Sequence, residues 1–137
     1  MSVKKTGFFF NIELRPYRYG CVVSIGQTDA QIKAEMAKVD QAYKTKRSRD
    51  VMRAGIENPV PGYVVTWEAD SFMRIREIPD TVQVQGVVIH ELLHMVRHCL
   101  KTRGINMAGR GGQEAYCYLL EEAWNEVMGR VRAVLDE

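Results

Sequence analysis

The chain has 137 residues, of which 46% are hydrophobic and 26% are charged, and its formal net charge is +2 at pH 7. This ordinary globular composition argues against an intrinsically disordered chain, and no apolar run approaches the roughly 20 residues of a transmembrane helix. The length fits a single domain over residues 1–137 with one hydrophobic core.

The cysteines and the N-terminal region bear on the cellular compartment. Cys21, Cys99 and Cys117 are odd in number and irregularly spaced, which favours reduced thiols over a disulfide framework. The apolar stretch Gly7–Phe10 is soon interrupted by polar and charged residues, so it does not fit a signal peptide. A cytoplasmic protein is therefore expected.

The first third of the chain predicts a hairpin followed by a helix. Two β-rich runs, Phe8–Ile12 and Tyr19–Ile25, are separated by a proline-containing break. Thr28 and Gln31 form a capping-box pattern, and apolar residues recur at three- and four-residue steps after it. A first helix is therefore expected from about Asp29 to the mid-40s.

A basic run continues this helix and contains Lys44, Lys46, Arg47 and Arg49. Such runs bind nucleic acid or acidic partners in some proteins. Here the small net charge favours a solvated helix face or loop, and no aromatic residues are interleaved with the charges. Nucleic acid is therefore the least favoured partner.

The remainder predicts two more β segments and two helices. After a turn at Asn58–Gly62, the β segments are Tyr63–Trp67 and Phe72–Ile78. One helix is expected at Val82–Thr102, and a glycine-rich loop leads to a second at Gln113–Leu135. This order predicts an α+β domain, with helices on one face of a small antiparallel or mixed sheet. The β segments after the turn are expected to lie nearest the first of these helices.

The most informative motif is HELLH at His90–His94, in the middle of a predicted helix. Residues four apart lie on one helix face, so the imidazoles of His90 and His94 point at one position. Glu91 lies about 100° round the helix from His90. The flanks of the motif, Val87–Ile89 and Met95–Val96, carry no charge. Apolar surroundings keep imidazoles neutral enough to coordinate a metal. The motif predicts two zinc ligands and a general base.

A catalytic zinc site usually needs a third protein ligand. His98 continues the face of the two histidines, but three residues stacked over two turns span about 12 Å along the axis and cannot all reach one ion. Glu114 is favoured, because the glycines before it allow close approach and a helix N-terminus favours a carboxylate. Glu121 and Glu122 are the alternatives on the same helix.

The HELLH motif, its uncharged flanks and a glutamate on the following helix resemble the gluzincin branch of the zincin metallopeptidases. The segment Glu114–Glu121 is also similar to small zincin-like proteins encoded by bacteriophages and prophages. The resemblance covers about residues 82–125. It implies a Zn²⁺ cofactor held by His90, His94 and Glu114, with Glu91 as general base.

Several positions differ from the motifs of other zincin metallopeptidases. Arg97 and Leu100 stand where a metzincin carries its glycine and third histidine, which excludes that branch. Tyr118 stands where a thermolysin-like enzyme carries the acidic residue that orients its first histidine. Tyr116, Tyr118 or His98 is expected to stabilise an oxyanion, although either tyrosine fits ordinary packing equally well.

The favoured function is hydrolysis of a peptide or amide by zinc-activated water, with Glu91 as the base. The alternative is a zincin-like scaffold of phage origin that binds zinc without catalysis and binds a protein partner through the basic stretch 44–53. A nucleic-acid-binding accessory protein ranks last. Water in the fourth zinc position favours an enzyme, and a fourth protein side chain favours a structural site.

Overall fold

Four strands and three helices make up the part of the chain that the computed structural model describes, which is residues 7–39, 58–67 and 69–136. The strands are β1 (Phe8–Leu14), β2 (Tyr19–Ile25), β3 (Gly62–Trp67) and β4 (Asp70–Ile75). The helices are α1 (Asp29–Val39), α2 (Val82–Thr102) and α3 (Arg110–Leu135). The predicted α+β class and mixed sheet are confirmed.

The sheet has the strand order β1-β2-β4-β3. The predicted hairpin is present, since β1 and β2 pair antiparallel from Phe8 opposite Ile25 to Leu14 opposite Tyr19. β2 pairs parallel with β4, and β3 pairs antiparallel with β4. Among the described strands, β3 is therefore an edge strand that pairs only with β4.

Helices cover both faces of the sheet, which corrects the expectation of helices on one face. Val23 and Met73 point into the core that α2 and α3 complete. Val22 and Phe72, on the opposite face, pack with Ile32 of α1. The reason is that β2 is a central strand, and its run of consecutive apolar residues is typical of a strand buried on both sides.

The predicted start of α1 is confirmed by its capping box. The backbone N–H of Thr28 donates to Gln31 Oε1 at 2.9 Å, and the backbone N–H of Gln31 donates to Thr28 Oγ1 at 3.2 Å. α1 is described as far as Val39. The rest of the predicted helix and the whole basic stretch 44–53 lie outside the described residues.

The limits of α2 agree with the prediction at both ends. Thr81 caps its first turn by accepting a hydrogen bond from the backbone N–H of Val84, and Gly104 follows its end with a φ of 71°. α3 begins at Arg110, three residues before the predicted Gln113. Over the described ranges, no helix is long and apolar enough to cross a membrane.

Candidate metal centre

The two histidines of the HELLH motif point at one position beside α2. Their Nε2 atoms are 3.3 Å apart, and the rings lie at 72° to each other. An ion held tetrahedrally by two imidazole nitrogens at about 2.1 Å separates those nitrogens by about 3.4 Å. The side chains of His90 and His94 therefore fit a zinc ion as a pair.

The apolar flanks of the motif fix the orientation of α2. Val88, Leu92 and Met95 are fully buried in the core, so the opposite side of the helix carries the histidines. Both histidines are exposed, the His90 side chain by 68%. The expectation that apolar residues surround the two imidazoles is therefore wrong. The apolar residues of the motif and its flanks fill the core, because they lie on a different face of the helix from the histidines.

Glu91 is the buried polar residue of the motif. Its side chain is 8% exposed, and Oε1 lies 3.8 Å from His90 Nε2. Burial raises the pKa of the Glu91 carboxyl, while the nearby histidines and a hydrogen bond from the backbone of Val64 offset part of that rise. A carboxylate with a raised pKa is a better proton acceptor than an ordinary exposed carboxylate.

A cleft of about 480 Å³ opens in front of Glu91 and His90. Gln83, Gly86 and Val87 of α2 form one wall, and the segment Val60–Gly62 at the start of β3 forms the other. The strand nearest to α2 was expected to come from Tyr63–Ile78, and β3 takes this position. The backbone of Val64 in β3 hydrogen-bonds with Glu91.

The proposed third ligand is not brought to the histidines. Glu114 lies exposed in the second turn of α3, because the helix begins at Arg110 and its first turn carries no acidic residue. His94 lies about 200° round the helix from Leu92, which enters the core shared with α3, so the histidines face away from that core. Within residues 7–39, 58–67 and 69–136, no group of three or more His, Cys, Asp or Glu side chains is arranged to hold a metal ion. The third ligand stays a prediction.

The alternative ligands and one of the proposed oxyanion donors lie elsewhere on α3. Glu121, Glu122 and Tyr118 line a concavity on α3, and Tyr118 is 68% exposed. Tyr116 is half-buried against the core, and this burial raises the pKa of its hydroxyl. Neither tyrosine lines the cleft beside His90, so the structure does not support their oxyanion role.

His98 is likewise engaged outside the cleft. Its Nδ1 shares a hydrogen bond of 2.6 Å with the hydroxyl of Tyr19, a buried residue of β2. Burial lowers the pKa of His98, and the charge of Lys101 lowers it further. His98 therefore anchors α2 to the sheet one turn beyond His94.

Sequence reasoning missed the residue that shapes the outer wall of the cleft. Arg76 Nε donates to the carbonyl of Val60 at 2.8 Å, and its guanidinium also donates to the carbonyl of Asn58. The backbone N–H of Arg76 donates to the carbonyl of Pro61 at 3.0 Å. These contacts span 15 to 18 residues, and no local pattern indicates them.

Comparison of the chain with protein-family models, with curated proteins and with solved structures found no match in any of the three. The function of the candidate centre is therefore argued from its own geometry.

Proposed function

We propose that the protein is a zinc-dependent peptidase whose site is built from His90, His94 and Glu91. The observation that carries the proposal is the 3.3 Å separation of the two Nε2 atoms, the spacing of two ligands of one zinc ion, beside a carboxylate that is 8% exposed. His90 and Glu91 line the same cleft.

Each residue has a distinct role in this proposal. His90 and His94 hold the ion, and their exposure leaves room for further ligands and for substrate. Zinc, when bound, makes water a stronger nucleophile and polarises a carbonyl group. Burial and the Val64 contact hold the Glu91 carboxylate at the cleft. There it would accept a proton from the attacking water and donate it to the leaving amine.

The edge strand favours an extended peptide as the substrate. β3 is paired with β4 on one side, and the cleft lies between the start of β3 and α2. An extended chain can hydrogen-bond to the free side of such a strand by β-augmentation. A peptide bond carried along this edge would pass in front of Glu91.

The experiment compares zinc content and peptide hydrolysis in matched variants. His90→Ala and His94→Ala should each lose the one zinc ion that the wild type binds per chain. Glu91→Gln should keep the zinc and lose hydrolysis, since Glu91 is assigned as base and not as ligand. A wild type that takes up less than about a tenth of an equivalent of zinc would overturn the metal site, because structural and catalytic zinc ions are normally stoichiometric.

A second candidate is a non-catalytic zincin-like scaffold, related to phage proteins, that binds zinc and a protein partner. It differs from the peptidase in needing no general base, and a fourth protein side chain on the zinc ion would favour it. Zinc uptake with no hydrolysis that depends on Glu91 would select it. Either protein fits a reducing compartment such as the cytoplasm, since Cys117 is a free and exposed thiol.

A further inference from the structure

The cleft beside His90 continues into a second cavity of about 440 Å³. The two cavities share Pro61, Gln83 and Val87 as lining residues. They therefore form one channel on the surface, from His90 and Glu91 at one end to Arg76 and Glu77 at the other, and we call this channel the groove.

The walls of the groove are mainly apolar at its centre. Pro59 and Pro61 line one side, and Val84 and Val87 of α2 line the other. Both valines are half-buried, and each also packs against the core. Apolar walls with a few polar groups at the ends are typical of sites that take an apolar side chain.

The outer wall of the groove is held rigid by Arg76. Its side chain donates to the carbonyls of Val60 and Asn58, and Asn58 Oδ1 in turn accepts from the backbone N–H of Val60 at 3.3 Å. Two prolines fix φ in this wall. A wall ordered before binding lowers the entropy cost of filling the groove.

We propose that the groove binds one large apolar side chain of a peptide, such as leucine or phenylalanine, next to the peptide bond that lies at Glu91. The inference rests on the proposed peptidase function. It commits to a peptide because the groove is continuous with the candidate catalytic residues and begins at the edge strand β3. The polar side chains of the groove, Gln83 near its middle and Arg76 and Glu77 at its far end, are suited to the flanking peptide backbone.

Gly86 provides a means to close the groove without disturbing the fold. It lines the cleft, is exposed, and has no atom within 4 Å of the position that a Cβ would occupy. Gly86→Leu therefore fills the groove from its α2 wall. Gly129→Leu is the matched control, because Gly129 is also an exposed helical glycine with open space around it but lies on α3.

The test uses metal-free protein and two capped hexapeptides that differ only in a central leucine or glycine. Binding is followed by amide NMR shifts, which do not depend on zinc or on hydrolysis. We expect the leucine peptide to bind at least about tenfold tighter than the glycine peptide, with the largest shifts at Gln83, Gly86 and Val87, because burying a leucine side chain is favourable by this order. Gly86→Leu should abolish the preference, and Gly129→Leu should preserve it.

Equal binding of the two peptides by the wild-type protein would overturn the inference, and this comparison requires no variant. An unchanged preference in a folded Gly86→Leu protein would also overturn it. Leucine-selective binding without hydrolysis that depends on Glu91 supports the groove and rejects the peptidase. Hydrolysis that depends on Glu91 but ignores the central residue rejects the groove alone.

Discussion

Replacement of Gly62 by alanine tests the close approach of β3 to α2 that brings the backbone of Val64 to Glu91. A Cβ at position 62 would lie 2.6 Å from Val87 Cγ1, 3.1 Å from Ile75 Cδ1 and 3.3 Å from the carbonyl oxygen of Arg74. Val87 is β-branched and has one strongly preferred rotamer in a helix, so it cannot easily move aside. The strand must therefore shift away from α2.

Such overpacking costs about 1–3 kcal/mol. The lower entropy of the unfolded alanine chain offsets about 0.4–1 kcal/mol of that cost. At the middle of both ranges the net loss is roughly 1.3 kcal/mol, which lowers the melting temperature of a domain of this size by roughly 3–7 °C. Gly86→Ala is the control and should stabilise the protein by about 0.5–1 kcal/mol, since it adds a better helix former in open space.

The assay is urea unfolding of metal-free protein followed by circular dichroism, supported by thermal melts. Gly62→Ala should unfold at lower urea than the wild type, and Gly86→Ala at higher urea. A Gly62→Ala protein that is as stable as the wild type would refute the close packing of β3 on α2, and with it the position of the strand in front of Glu91.

Two further variants test buried polar groups near the site. Burial raises the pKa of the Glu91 carboxyl in the folded protein above its unfolded value of about 4.3, so the wild type loses stability as pH rises above that value. In urea titrations, metal-free Glu91→Gln should therefore gain stability relative to the wild type as pH rises above about 4.3. A difference that is the same at every pH would contradict this. Tyr19→Phe leaves His98 Nδ1 without its 2.6 Å partner and should cost about 1–3 kcal/mol in the same assay, more than the control Tyr17→Phe. Equal effects of the two tyrosine variants would show that this hydrogen bond does not anchor α2.

Local sequence signals predicted the elements that carry the histidines. The cap at Thr81 and the glycine at Gly104 define the two ends of α2, and the spacing within HELLH predicts the histidine pair. α3 began earlier than predicted because a glycine pair usually indicates a loop. Here Gly112 lies inside the helix, where any side chain would overlap the carbonyl of Asn106.

The surroundings of the histidines depend on contacts that no local pattern contains. Arg76 reaches Asn58 across 18 residues to shape the cleft wall. The position of Glu114 depends on how α3 packs against α2, which is decided by contacts between core residues far apart in the sequence. The walls of the site were therefore not predictable from the sequence, although its central pair was.

X-ray absorption at the zinc edge of the zinc-loaded protein tests the central claim most directly, because it reports the number and type of atoms bound to the metal. We expect two imidazole nitrogens, from His90 and His94, with oxygen atoms completing the coordination and all of these ligands at about 2.0–2.2 Å from the zinc ion. A sulfur ligand at about 2.3 Å, or the absence of imidazole scattering, would contradict it.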